Sequence, residues 1–224
     1  MPAASPAAEV PAEIRPRFRG VSHQLAFLVA VPLAVAFGLA PETAAGRASA
    51  VVYGAAVAFM FGASGAYHRI RWTWPRWQPA ARRIDHTGIY VLIAGSYTPF
   101  GLLILHGSWR FAVLGVVWTG AALAVLLKVC WLDAPKWLAA ALAIALGWVG
   151  VLVIPQIWDS VGLAGCALLV AGGIAYTLGG IVYATERPDP RPAVFGYHEV
   201  FHALVIVAVA LQYAAIAFFV LPKH

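Results

Sequence analysis

Charge is scarce in this sequence. Of 224 residues, 15 are Lys or Arg and 9 are Asp or Glu, 11% of the chain, against roughly 25% in an ordinary soluble domain. So little charge excludes a water-soluble globule, which could not cover its surface with polar groups. Cysteine is also scarce: Cys130 and Cys166 are the whole complement, too few for a disulfide framework. No internal repeat, no long polar segment and no low-complexity tract beyond residues 1–20 is present, which excludes a solenoid and a second, independently folding soluble domain. What is abundant is apolar: 62% of residues are hydrophobic and the mean hydropathy is +0.82, the composition of a chain whose helix exteriors face lipid.

A membrane-crossing helix needs about 20 apolar residues. Seven stretches qualify, at about 22–40, 48–68, 86–105, 111–128, 136–154, 161–183 and 198–221. The expected fold is an all-α membrane protein, a seven-helix transmembrane bundle over residues 21–224. Residues 1–20, rich in Ala, Pro and Arg, read as a disordered cytoplasmic tail without the apolar run of a cleavable signal peptide. The formal net charge of +6 is read first as a topology signal, and nucleic acid is not an expected partner. Arg15, Arg17 and Arg19, the run Arg69, Arg71, Arg76, Arg82 and Arg83, the pair Lys128 and Lys136, and Arg187 with Arg191 fall on one side; Arg47, Arg110 and Lys223 fall on the other. The positive-inside rule puts the N-terminus in the cytoplasm and the C-terminus outside. Trp72, Trp74, Trp77, Trp109, Trp131, Trp137 and Trp158 fall near helix ends, as an aromatic belt does. The same topology sends Cys130 and Cys166 to opposite faces, so both are expected to be free. Gly172, Gly173, Gly179 and Gly180 repeat at seven residues, a surface for close helix approach.

Polar residues inside spans are costly, and those that persist point to function. Ser64 and His68 lie one turn apart at the end of the second span. Asp85 and His86 open the third. His198, Glu199 and His202 open the seventh. Alternating topology brings all three groups to the cytoplasmic leaflet. His198 and His202, four apart, share one helix face, and His68 supplies a third imidazole at the same level. Three protein nitrogens with one open position is the pattern of catalytic zinc. Such an ion polarises a carbonyl and lowers the pKa of bound water to about 7. Asp85 would hydrogen-bond that water as base or orienter, and Ser64 would bond the water, the substrate or a backbone carbonyl. His198-Glu199-Val200-Phe201-His202 also fits the H-E-x-x-H pattern of metalloproteases, with Glu199 as base, though no second protease motif accompanies it. His86 points about 100° away from Asp85 on a helix and is not taken as a ligand. His23, His106 and His224 fall at ends and loops and read as solvated. Tyr97-Thr98-Pro99 reads as a kink in the third span, with Thr98 satisfying a freed backbone group.

Three segments together carry a resemblance: Ser64-Gly65-Ala66-Tyr67-His68; Arg83-Ile84-Asp85-His86-Thr87-Gly88-Ile89-Tyr90 with Ile93-Ala94-Gly95-Ser96-Tyr97-Thr98-Pro99-Phe100; and Phe195-Gly196-Tyr197-His198-Glu199-Val200-Phe201-His202. The chain resembles the hemolysin III family, the bacterial branch of the progestin and adipoQ receptor (PAQR) family, from about Phe18 onward. The resemblance implies a seven-helix bundle with a zinc on the cytoplasmic side, its S-x-x-x-H motif on Ser64 and His68, its aspartate on Asp85 and its H-x-x-x-H motif on His198 and His202. Kinship with alkaline ceramidases implies hydrolysis of a lipid amide or ester. The expected protein is thus a zinc-binding protein of the bacterial inner membrane with a membrane lipid as substrate or ligand, Asp85 and Ser64 as catalytic residues and His68, His198 and His202 as metal ligands. The alternatives are a non-enzymatic regulator of membrane homeostasis with a structural zinc, or a pore-forming cytolysin.

Overall fold

The apolar runs become helices because a helix satisfies its backbone hydrogen bonds internally, as lipid requires. The computed structural model describes residues 16–72 and 74–223. These hold seven α-helices: α1 (Val21–Leu39), α2 (Ala44–Arg69), α3 (Gln78–Pro99), α4 (Ser108–Cys130), α5 (Lys136–Gly147), α6 (Ile154–Thr185) and α7 (Tyr197–Ala215). The only strand-like pairing among the described residues is an isolated bridge between Arg191 and Phe195. The protein is an all-α membrane protein; among the described residues six stretches are long and apolar enough to cross a membrane, one of which, Lys136–Thr185, runs for 50 residues.

That long stretch is folded back on itself. α5 continues through a 3-10 segment (Trp148–Val153) into α6, and helical geometry fails at Gly162, with φ 66° and ψ −169°. On either side of the break the chain lies antiparallel. Trp148 Nε1 donates to Thr177 Oγ1 at 2.9 Å, and a side chain at Gly180 would meet Ile144 and Ala140. The glycine repeat serves two neighbours: Gly172 and Gly179 face α7, while Gly173 and Gly180 face the α5 side of the fold-back.

Consecutive helices pack side by side, and α1 also meets α7, which closes the ring. Close approach of α2 and α3 rests on Gly95, where an added Cβ would collide with that of Ala56. Tyr53, Tyr90, Leu92, Leu105 and Ile216 are fully buried in the core between the helices. α3 ends at Pro99 and gives way to a π-helical turn, Phe100–Ile104. Pro99 cannot donate, and Thr98 Oγ1 bonds the Ala94 carbonyl at 3.1 Å, the kink expected for this segment. Both cysteines are free. Trp74, Trp77, Trp109, Trp131, Trp137 and Trp158 are exposed near helix ends.

The expected tail, residues 1–20, lies outside the described residues as far as residue 15. From Pro16 the chain is tied down. Arg17 N and Phe18 N donate to the carbonyls of Ala193 and Val194 at 3.0 and 3.2 Å, and Gly20 turns into α1 with φ 76°.

Candidate metal centre

Four helices deliver polar groups to one end of the bundle. α2 carries Ser64 and His68 in its last turns. α3 carries Asp85 and His86 two turns in. α7 opens with His198 and His202, and α1 adds His23 in its first turn. The start of α7 is fixed by its own sequence. Gly196 precedes the helix with extended backbone, and Glu199 reaches back so that its Oε2 accepts the Gly196 N–H at 2.8 Å, the return half of a capping box. Glu199 Oε1 faces Arg19 Nε at 3.0 Å, an ion pair without hydrogen-bond alignment, and the Glu199 side chain is only 2% exposed.

The three imidazoles converge. His198 Nε2 lies 3.1 Å from His68 Nε2, and His68, His198 and His202 each offer a nitrogen within 4.8 Å of the others. Two nitrogens bound to one tetrahedral ion at about 2.0–2.1 Å would sit roughly 3.3 Å apart, so the His68–His198 separation suits ligands of one metal. His202 is buried, and its Nδ1 has no hydrogen-bond partner among the described residues. A polar atom so enclosed is costly unless something satisfies it. The donor set is three imidazoles with a carboxylate beside them: Asp85 Oδ2 is 3.6 Å from His68 Nε2, the two side chains only 11% and 10% exposed. These residues fit a transition-metal ion.

Ser64 is buried and shared between two groups. Its Oγ is 2.9 Å from His23 Nδ1, and it flanks the Asp85 carboxylate. From this end a cavity of about 230 Å³ runs between the helices. Ser64, Asp85, His198 and His202 line its head; Ile93, Phe100, Val153 and Leu169 are among the apolar side chains along its length.

A profile of the family described as Haemolysin-III related matches residues 12–213. The chain belongs to this haemolysin-III-related family. It is 28% identical over 206 residues to "Hemolysin-3" of Bacillus cereus, covering 90% of each chain. It is 27% identical over 202 residues to "Hemolysin-3 homolog" of Bacillus subtilis (strain 168), covering 89% of this chain and 91% of the relative. "Heptahelical transmembrane protein ADIPOR2" of Oryza sativa subsp. japonica is 32% identical over 149 residues, 60% of this chain and 65% of that one. The rice relative ties the haemolysin-III-related family to the PAQR proteins.

Of the residues singled out from the sequence, this family member brings Ser64, His68, Asp85, His198 and His202 together. His86 lines the same cavity but stands outside the three-nitrogen group. The expectation that His23 is solvated is corrected. It is 2% exposed, stacked on the His202 ring with centroids 3.6 Å apart and edge-on to Phe61. The reason is the ordered Pro16–Gly20 segment, which starts α1 at Val21, so that His23 falls in the first turn on the buried face. A signal was present: His23, Ala30 and Phe37 recur at seven residues and form the buried face of α1. His106 is exposed, as expected, and His224 lies outside the described residues. Lys128, read only as a topology charge, is buried.

Proposed function

We propose that this protein is a zinc-dependent intramembrane hydrolase that cleaves a lipid amide or ester. The observation that carries the reading is the convergence of three imidazoles, a carboxylate and a hydroxyl at the head of an apolar cavity. His68, His198 and His202 would hold the zinc, which would supply Lewis acidity toward a carbonyl and toward water. Asp85, its Oδ2 3.6 Å from His68 Nε2, takes a proton from the attacking water and returns it to the leaving amine or alcohol. Ser64 orients Asp85, itself held by His23. The cavity holds the acyl chain and keeps bulk water from it. Glu199 is not the base, because one of its oxygens caps α7 and the other faces Arg19.

The same reading gives the bundle seven crossings, with the N-terminus cytoplasmic, the C-terminus outside and the site in the cytoplasmic leaflet of the bacterial inner membrane. A continuous 50-residue helix would be about 75 Å long, more than twice the roughly 30 Å hydrocarbon core, and the fold-back at Gly162 makes two crossings of it. The heptahelical name of the rice relative agrees with that count.

Metal content of the detergent-purified protein tests the centre. About one zinc per chain is expected in the wild type, and none in His198→Ala. Asp85→Asn is expected to keep the metal and to lose turnover of lipid amides or esters by roughly 10²–10⁴-fold, the range of a positioned acid–base group. A well-folded wild type without stoichiometric metal, or full turnover by Asp85→Asn, ends this mechanism.

One observation favours a non-enzymatic reading. The three histidines join α2 to α7, helices that otherwise scarcely meet, so the zinc would be a staple in a regulator of membrane homeostasis. In that case loss of the histidines lowers thermal stability and no lipid is consumed. The cytolysin reading suggested by the Bacillus names requires a conducting assembly, and planar-bilayer conductance tests it.

A further inference from the structure

Beside the site cavity, at the same end of the bundle, is a second hollow. Its walls come from the start of α3, the end of α4, the α4–α5 loop, the start of α5 and the end of α6. It is strongly charged. Arg82, Lys128 and Lys136 line it, against two carboxylates, Asp133 and Glu186.

The carboxylates are engaged. Asp133 Oδ1 accepts from Arg82 at 2.9 Å, and Glu186 Oε1 from Lys136 at 2.8 Å. Lys128 makes no direct ion pair: Asp133 acts on it only at a distance and is itself bonded to Arg82. The lysine is 2% exposed, and its Nζ donates to a single neutral acceptor, the Ala134 carbonyl, at 3.3 Å. In the same hollow His86 Nδ1 is buried with no hydrogen-bond partner among the described residues. A buried ammonium with no direct ion pair is costly, and an imidazole nitrogen in the same hollow offers a second contact for an oxyanion. His86, Lys128 and Tyr183 belong to the walls of both hollows, so the charged space adjoins the apolar one.

We propose that this hollow is a binding site for a phosphate group, with Lys128 and His86 as its inner contacts and Arg82 and Lys136 as its rim. The physiological source is the head group of an anionic phospholipid. Basic hollows between helices near a membrane surface take such head groups, and the adjoining apolar cavity suits a chain. The proposal does not rest on hydrolysis or on the metal.

The test uses the full chain purified in a neutral maltoside detergent. Short-chain phosphatidylglycerol, short-chain phosphatidylcholine and inorganic phosphate are each titrated, and binding is read by native mass spectrometry and by the shift in thermal midpoint. Phosphatidylglycerol is expected to bind about tenfold more tightly than phosphatidylcholine, whose phosphate is the same but whose choline ammonium the cations Arg82, Lys128 and Lys136 repel. Lys128→Met should abolish that preference while leaving the metal content unchanged. It removes one enclosed charge and leaves the exposed arginines at Arg69, Arg71 and Arg76 in place, so nonspecific attraction of acidic lipid would survive it. Should Lys128→Met not fold, Arg82→Gln, at the partly exposed rim, is expected to weaken the preference severalfold. Competition by inorganic phosphate shows that the free ion is also a ligand; its absence assigns the site to the lipid head group. Equal binding of the two lipids by the wild type, or an unchanged preference in the folded variant, overturns the proposal.

Discussion

At the scale of single residues, the site is held by groups that are not expected ligands. His23 is the clearest. It bonds Ser64 at 2.9 Å and lies flat on His202 at 3.6 Å between centroids. It therefore fixes both the hydroxyl beside Asp85 and the plane of one imidazole of the triad. Groups that orient metal ligands in this way typically change affinity by about 10–100-fold when removed. His23→Ala is expected to weaken metal binding by about tenfold or more, measured by competition with a chelator. His23→Phe, which keeps a ring against His202 but cannot bond Ser64, should lose less. Wild-type affinity in His23→Ala would assign the histidine to packing alone. The triad was legible because its spacing, His198 to His202 on one face with His68 at matching depth, survives translation into helices. His23 was not, because a histidine at the edge of an apolar run reads as the start of solvent until the Pro16–Gly20 segment is seen to cap the helix over it. The pairing of Arg19 with Glu199 was hidden for a related reason. It joins residues 180 positions apart, and no local pattern records it.

Helix by helix, the apolar runs gave the elements closely, and the differences have local causes. The fifth and sixth runs were expected to part at Pro155–Ser160. Instead helical structure continues past Pro155, which sits in the first turn of α6 where a missing N–H is harmless. The chain turns at Gly162, whose φ of 66° with ψ of −169° belongs to a region essentially closed to other residues. This makes a sharp prediction, because nothing lies within 4 Å of a Cβ built at Gly162. Gly162→Ala is expected to destabilise the protein through backbone strain alone, by about 1–3 kcal/mol, measured by thermal unfolding in detergent. Gly115→Ala is the control. It too meets nothing within 4 Å, but it lies inside α4 with ordinary helical backbone, and it should fall within about 1 kcal/mol of the wild type. Equal effects from the two substitutions would mean that the fold-back does not depend on the left-handed turn.

For the whole molecule, the proposed topology decides which side of the membrane the site faces, because the end that gathers the histidines also gathers the cations. Twelve of the 15 Lys and Arg residues are assigned to that end, and such a bias faces the cytoplasm. The two cysteines make the orientation measurable without redesign. Cys130 is exposed at the end of α4 on the triad side, while Cys166 is buried beyond the Gly162 turn. A membrane-impermeant maleimide should label wild-type protein at Cys130 in inside-out vesicles and not in right-side-out ones. Leu163, 71% exposed beside the turn, reports the other face: Leu163→Cys in a Cys130→Ser background should label only in right-side-out vesicles. The four outcomes separate two claims. Opposite sides in the expected sense support both the crossing of Lys136–Thr185 twice and a cytoplasmic site. Opposite sides in the reverse sense keep the double crossing but put the centre outside, where its substrate would come from the outer leaflet. The same side for both positions removes the double crossing, whichever side it is, and with it the seven-crossing bundle.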